Sequence, residues 1–387
     1  MFTLEICYIF VFFVINKSLQ NKKNRIVERF CVIMAGGIGS RFWPMSKNDC
    51  PKQFLDFFGT GRSLLQLTYD RFRQMIAKEN ILVVSNRQYK ELILEQLPEL
   101  NEDQVLLEPM RRNTAPCIYY AAERIRSRLR EKGIEDASMV VAPSDHLILK
   151  EGDFLESVRR GLDFVEQGDV LLTLGITPSR PETGYGYIQK GEGTGDLRKV
   201  KAFTEKPNRE LANVFFQSGE FLWNAGIFMW SLSSIEKAFK MFLPDIVTLF
   251  ERGESVFGSK EEEGFISEIY PNCQNISIDY GVLEKASNIH VLSAEFGWSD
   301  LGTWGSLHEL SAKDENGNAT IGGNVVLNDS KGNMVVSSGE RLVVLQGIEN
   351  CVVAESNGVV LVCKLDEEQK IRQIVNDVSV KFDGKYT

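Results

Sequence analysis

At 387 residues the chain is too long for one core of ordinary size, and its 43% apolar content is that of a globular protein, so two domains are expected. A net charge of −9 argues against general affinity for nucleic acid or anionic membrane, but leaves room for a local basic pocket that holds a phosphorylated small molecule.

The chain opens on an apolar run, "ICYIFVFFVI" (6 to 15), too short to span a bilayer. Its basic residues, Lys17, Lys22, Lys23 and Arg25, follow the run instead of preceding it, and no small-residue cleavage site appears. A secretory signal and a membrane anchor therefore compete with a third reading, translation from Val27 through a non-AUG codon. The third is favoured because "FCVIMAGG" reads as the natural start of a domain, which leaves residues 1–30 as an extension.

From there β-branched runs alternate with helix-period stretches. "FCVIMA" predicts a strand, "LLQLTYDRFRQMI" an amphipathic helix, "ILVVSN" a strand, "QYKELILEQL" a helix and "VLLEP" a strand. "APCIYYAAERIRSRLREKG" predicts a helix stopped at Gly133, and "SMVVAPSDH" a buried strand running into a loop. This βαβαβαβ order implies an α/β, mostly parallel, Rossmann-like sheet with helices on both faces and ligands at the carboxyl ends of its strands. The aromatic run Ile227, Phe228, Met229 and Trp230 reads as buried strand.

A polar stretch, "HELSAKDENGNAT" (308 to 320), behaves like a linker. Beyond it come "NVVLND", "NMVVSS", "RLVVLQG", "CVVAES" and "GVVLVCK", punctuated every eight to ten residues by Gly, Asn or Ser. They predict a small all-β domain over 320–387, either a solenoid of left-handed coils or a compact sandwich, and the short regular strands lean towards the solenoid (a left-handed β-helix). "DEEQKIRQIVNDV" then predicts a helix with Ile371, Ile374, Val375 and Val378 on one face. Seven cysteines, at 7, 31, 50, 117, 273, 351 and 363, form no Cys-x-x-Cys pair, which fits free thiols in a reducing compartment and suggests no zinc site.

The stretch "CVIMAGGIGSRFWPMSKNDCPKQFL" (31 to 55) carries the chemistry. Phe42 stands where the dinucleotide fingerprint needs its last glycine, and the Walker lysine motif is absent. What remains is a turn over Ala35, Gly36, Gly37, Gly39 and Ser40 whose amides can approach a nucleotide, flanked by Arg41 and Lys52. A planar guanidinium and a compact ammonium suit a polyphosphate; a tight turn with two solvated cations is the plain alternative.

That turn resembles the signature of the sugar-1-phosphate nucleotidyltransferases, and its Phe-Trp-Pro and Pro-Lys-Gln-Phe-Leu are similar to the mannose-1-phosphate guanylyltransferase family. Further segments match in order: "EPMRRNTAPCI", "VVAPSDH", "TLGITPSRPETGYGYI", "VKAFTEKPN", "FLWNAGIFMW", "SIDYGVLEK" and "FGWSDLGTW". Together they span about 31–310, the expected catalytic domain. The resemblance implies a magnesium-dependent attack of mannose 1-phosphate on the α-phosphorus of GTP. It implies Arg41, Lys52 and Lys206 as the catalytic cations, Glu108, Arg112 and Asn113 with the glycine turn on the nucleotide, and Asp145 and Asp300 as metal carboxylates. For the sugar phosphate it implies Gly184, Tyr185, Gly186, Glu205, Asn224 and Asp279, with Tyr185 and Tyr187 as walls; for Asp279 a helix cap is nearly as good a reading. His146, beside Asp145, reads as a structural imidazole or one that supports a metal ligand, and not as a catalytic proton donor. No region matching the isomerase half of long bifunctional relatives follows, so one activity is expected, cytoplasmic, on small molecules, with no nucleic-acid or membrane partner and with a homodimer as the expected assembly.

Overall fold

The structure, a computed structural model, describes residues 28–337 and 341–387. The expectations for the apolar run and for a start at Val27 fall outside the described residues. The central sheet is built from β1 (Glu28–Met34), β2 (Ile81–Asn86), β3 (Val105–Glu108) and β4 (Ala137–Pro143), then, past the two-residue β5 (Leu147–Ile148), from β6 (Leu171–Ile176), β7 (Tyr187–Lys190), β8 (Leu197–Thr204), β9 (Phe221–Ser231) and β10 (Ile289–Ser293). Its order is β3-β2-β1-β4-β9-β6-β10-β8-β7. The first four strands are parallel, and β9 enters antiparallel to both β4 and β6.

Side chains of a strand alternate faces, so β1 feeds two cores at once: Phe30 and Val32 join the helix Thr114–Lys132 on one side, while Cys31 and Ile33 join the helices Leu64–Arg73 and Glu151–Val165 on the other. The long helix does end at Gly133, in the left-handed conformation (φ 66°) that glycine adopts without a Cβ clash. Ile227, Phe228, Met229 and Trp230 are all buried within β9.

Two details of this fold position the site. The register of β1 against β4 aligns Met34 with Pro143, so the glycine turn and the "PSDH" loop leave the sheet side by side. A two-stranded ribbon then pairs β5 with β11 (Trp298–Ser299), matching Ser299 to Leu147; one residue further along, this register sets Asp300 opposite His146, next to Asp145.

The stretch 308–320 is only in part a linker, because Trp304–Leu310 is helical and β12 (Ala319–Ile321) already opens the β-rich unit. That unit continues with β13 (Asn324–Asn328), β14 (Met334–Ser337), β15 (Leu342–Gln346), β16 (Cys351–Ser356) and β17 (Val359–Lys364). Ala319 aligns with Met334 and Met334 with Val352, all in parallel, while β13 pairs β15 in parallel as a second sheet. From β12 to β16 the strands alternate between two parallel sheets, the arrangement of a β-helix, and β17 closes the first sheet antiparallel to β16. Asn318 and Asn333 stack at one corner, where the Asn333 amide donates to Asn318 Oδ1 (2.9 Å) and to Ile348 O (2.7 Å), satisfying backbone the coil leaves inside.

The last helix, Ile371–Lys381, turns Ile371, Ile374, Val375 and Val378 into a third core. There they meet Phe42, Trp43 and Trp304, with the rings of Phe42 and Trp304 5.0 Å apart, and the Trp43 indole donates to Tyr386 O at 2.8 Å. The apolar residues directly behind the glycine turn are thus buried against the carboxyl-terminal unit.

Candidate functional site

The glycine turn is held from below. Gln53 donates from Nε2 to Ala35 O and Gly37 O (both 2.9 Å), and Ser85 donates to Ala35 O (2.7 Å). These bonds occupy the Ala35 and Gly37 carbonyls; the Ala35 amide donates to Val84 O (2.8 Å), and among the described residues the Gly36, Gly37 and Gly39 amides have no acceptor, which leaves them for a ligand. Gly39 has φ 69°, and a Cβ there would come within 2.4 Å of Lys52 Cβ, so the absence of a side chain is what lets the two segments meet. Ser40 opens the short helical turn Ser40–Phe42 that carries Arg41.

Arg41, Lys52, Asp145, Asp300 and Tyr185 converge. Lys52, 3% exposed, donates from Nζ to Asp145 Oδ2 (3.0 Å) and to the backbone oxygen of Asp300 (2.7 Å). Asp300 Oδ1 accepts from the Tyr185 phenol (2.6 Å) and from Gly302 N (3.0 Å). Arg41 donates from Nη1 to Gly302 O (3.0 Å), while its buried Nε meets no acceptor among the described residues. Desolvation works against the charge on Asp145, but the Lys52 ammonium outweighs it and holds the carboxyl below its ordinary range. Burial pushes the Tyr185 phenol up, and the Asp300 carboxylate pushes it further, so it stays a donor. Leu301, just after Asp300, sits at φ 45°, a conformation that costs an ordinary residue energy and that the surrounding contacts enforce.

Lys52 joins the Asp145 carboxylate to the Asp300 backbone, and two carboxylates on these adjoining loops suit a hard divalent ion that takes phosphate oxygens for its remaining ligands. Among the described residues no group of three or more His, Cys, Asp or Glu could hold a metal alone. Asp145 and Asp300 would hold such an ion only with a phosphorylated ligand present.

A second group surrounds Gly186. Asn224 donates from Nδ2 to Asp279 Oδ1 (2.9 Å), and its own oxygen accepts from Thr173 (2.9 Å) and Gly226 N (3.2 Å). Lys206 pairs with Glu205 at 2.6 Å; burial opposes the ammonium, but that partner keeps it above its ordinary value. Burial drives Asp279 up to about 6, with the neighbouring Glu205 adding to the rise. A Cβ at Gly186 would meet Glu205 Oε2 at 2.4 Å and Asn224 Cβ at 3.3 Å. The Lys206 amide donates to Tyr185 O (3.2 Å), which ties this group to the first.

The third group lines a cavity of about 460 Å³ between the turn and the helix Thr114–Lys132, with Gly36, Gly37, Glu108, Arg112, Asn113 and Asp145 in its wall. Glu108 accepts from the Tyr270 phenol, and burial pushes its carboxyl up to about 7 despite that bond. Arg112 donates to Pro271 O, and among the described residues its buried Nε meets no acceptor. Asn113, at φ 66°, caps the helix by accepting from Thr114 N.

One expectation needs revision. Tyr187 is no wall of the site: it is fully buried, its ring packs with Phe215 and Phe221, and its hydroxyl accepts from Glu182 N (2.9 Å). Tyr185 is turned with its hydroxyl on Asp300 and its ring edge-on to Trp223 and Trp298, so it supports a carboxylate. The Gly184 amide donates to Glu182 Oε1 (3.0 Å). His146 accepts at Nδ1 from the Trp298 indole (3.1 Å), the structural part expected of it. Gln53, Thr173 and Tyr270 escaped sequence reasoning; Gln53 alone had a signal, its place beside Lys52.

The nucleotidyl transferase family model matches residues 30–317, and the model of the MannoseP isomerase/GMP-like beta-helix domain matches residues 323–378. The chain is similar to a mannose-1-phosphate guanylyltransferase of Klebsiella pneumoniae, 38% identical over 364 residues, 92% of this chain and 75% of that one. A mannose-1-phosphate guanylyltransferase of Escherichia coli K12 is 36% identical over 368 residues, with 92% and 74% covered. Among solved structures, one described as a mannose-1-phosphate geranyltransferase from Thermus thermophilus superposes with a TM-score of 0.80 at 31% identity, covering 91% of this chain and 99% of that one.

Proposed function

The chain belongs to the nucleotidyl transferase family, and we propose that within it the reaction is GTP plus α-D-mannose 1-phosphate giving GDP-mannose and diphosphate. The single observation that carries this reading is the convergence of Arg41, Lys52, Asp145 and Asp300 beside the glycine turn, with no hydrolytic triad near it among the described residues.

A phosphate monoester has its second pKa at about 6, so the attacking oxygen is already ionised at neutral pH and needs no general base. It attacks the α-phosphorus, the bond from that phosphorus to the β-bridging oxygen breaks, and diphosphate leaves with the negative charge. The protein's task is to bring two anions together and to neutralise charge on the leaving group. Arg41 and Lys52 serve the triphosphate, and Lys206, more exposed, serves the sugar phosphate. Glu205, Asn224 and Asp279 present acceptors and a donor for the sugar hydroxyls. The nucleoside occupies the cavity beside Glu108, Arg112 and Asn113. Magnesium, held by Asp145 and Asp300 with substrate phosphate, would supply Lewis-acid neutralisation of phosphate charge.

In this reading 31–310 is the catalytic unit and 320–387 the β-rich unit. A cytoplasmic setting is supported by the six described cysteines, all unpaired. Among the described residues no helix is long and apolar enough to cross a membrane. A homodimer is supported by Val326, Leu342 and Val344, exposed together on the sheet of β13 and β15.

Diphosphate release across a panel of nucleoside triphosphates and hexose 1-phosphates tests the reaction. GTP with mannose 1-phosphate should be the best pair; another pair clearly preferred removes the specific reaction, and no release from any pair removes the chemistry.

A further inference from the structure

The helix Ile371–Lys381 lies far outside the glycine turn in sequence, yet it packs on Ser40–Phe42 through Ile371 and its neighbours. Its first turn carries Arg372. The packing of this helix on the turn that carries Arg41 brings the two cations towards each other, and the Arg372 guanidinium is drawn down from its ordinary value by desolvation and then by the positive charge of Arg41. Among the described residues Arg372 has no hydrogen bond or ion pair, and it is exposed, as a group must be to receive a ligand from solvent. Arg41 keeps a buried Nε without an acceptor. The carboxylate on the same segment, Glu368, also faces Arg41 electrostatically, while one of its oxygens accepts from Gly305 N (2.8 Å) at the start of the helix Trp304–Leu310.

Two neighbouring guanidinium groups, one of them exposed and unpaired among the described residues, suit a multiply charged anion, because binding relieves their repulsion and supplies acceptors. We propose that Arg372 is a second triphosphate-binding cation: with Arg41 it grips the β- and γ-phosphates and steadies the departing diphosphate, so the carboxyl-terminal unit completes the catalytic site. This rests on the nucleotidyl-transfer reading for its catalytic meaning, while diphosphate binding is independent of which base or sugar is used.

Titration calorimetry of the full chain with magnesium and inorganic diphosphate, for wild type, Arg372→Ala and Arg372→Lys, tests it. Kinetics in both directions accompany the binding measurement. Arg372→Ala should weaken diphosphate binding about tenfold and raise the KM for nucleoside triphosphate similarly, with the KM for sugar phosphate unchanged and the melting temperature preserved. Arg372→Lys should recover part of the loss. Diphosphate affinity in Arg372→Ala within twofold of wild type, or a wild type that binds no diphosphate, would overturn the proposal. A wild type that binds diphosphate in an Arg372-dependent way but transfers no nucleotide would overturn the reaction and leave the anion site standing.

Discussion

The Lys52 ammonium stands 3.0 Å from Asp145 Oδ2 and, with 2.7 Å to the backbone oxygen of Asp300, joins the two loops that carry the candidate metal carboxylates. Replacing it with methionine keeps the length of the side chain and removes the charge. Lys52→Met should lower kcat by about a hundredfold or more, the loss expected when one preorganised charge is removed from a transition state. A stopped assay of diphosphate release checks this, and a kcat within a few fold of wild type would take Lys52 out of catalysis.

Gly39 needs its bare Cα because a Cβ would come within 2.4 Å of Lys52 Cβ while φ stays at 69°. Gly39→Ala should cost about 1–3 kcal/mol by chemical denaturation and should reduce activity through the displaced lysine. Gly37, with open space around it, offers a control: Gly37→Ala should cost much less stability.

Gly186 gives a sharper separation, since a Cβ there would press on Glu205 and Asn224 and leave the glycine turn untouched. Gly186→Ala should raise the KM for mannose 1-phosphate by about tenfold or more while the KM for GTP changes little, a split that steady-state kinetics reads directly.

Glu108 makes stability depend on pH in a defined direction. The unfolded chain releases this proton near 4.5 and the folded chain near 7, so between those values the folded state holds the extra proton. Its contribution is present below about 4.5 and is lost as pH rises through about 7, a change of about 3 kcal/mol. Glu108→Gln should flatten that segment of the stability profile, measured by denaturation at fixed pH values. An unchanged slope would mean that another group titrates there.

Much of this architecture was legible because periodicity and caps are local. Gly133 stops its helix, and Ile371, Ile374, Val375 and Val378 share one buried face as their spacing requires. The antiparallel entry of β9 was not legible, since a run such as "FLWNAGIFMW" reads the same in either direction. Nor was the burial of Phe42 and Trp43, which depends in part on Trp304 and Tyr386, far along the chain. The site divided along the same line. Glycines and cations announce a phosphate loop in one short stretch, whereas Gln53 under the turn, Tyr270 on Glu108 and the hydroxyl of Tyr185 on Asp300 depend on tertiary approach.

If Asp145 and Asp300 hold a divalent ion together with substrate phosphate, as proposed, chelation with EDTA should abolish turnover and added Mg²⁺ should restore it. Asp300→Asn should reproduce the chelated state without a change in melting temperature of more than a few degrees; full activity in that variant would remove Asp300 from the metal site.

The most direct measurement follows the oxygen atoms. Mannose 1-phosphate labelled with ¹⁸O at all its phosphate oxygens, including the bridge to C1, is incubated with GTP, magnesium and the protein, and the products are weighed by mass spectrometry. Attack by the sugar phosphate on the α-phosphorus leaves every labelled oxygen in GDP-mannose and none in diphosphate. Label in the released diphosphate, or its loss from the nucleotide sugar, would contradict the account.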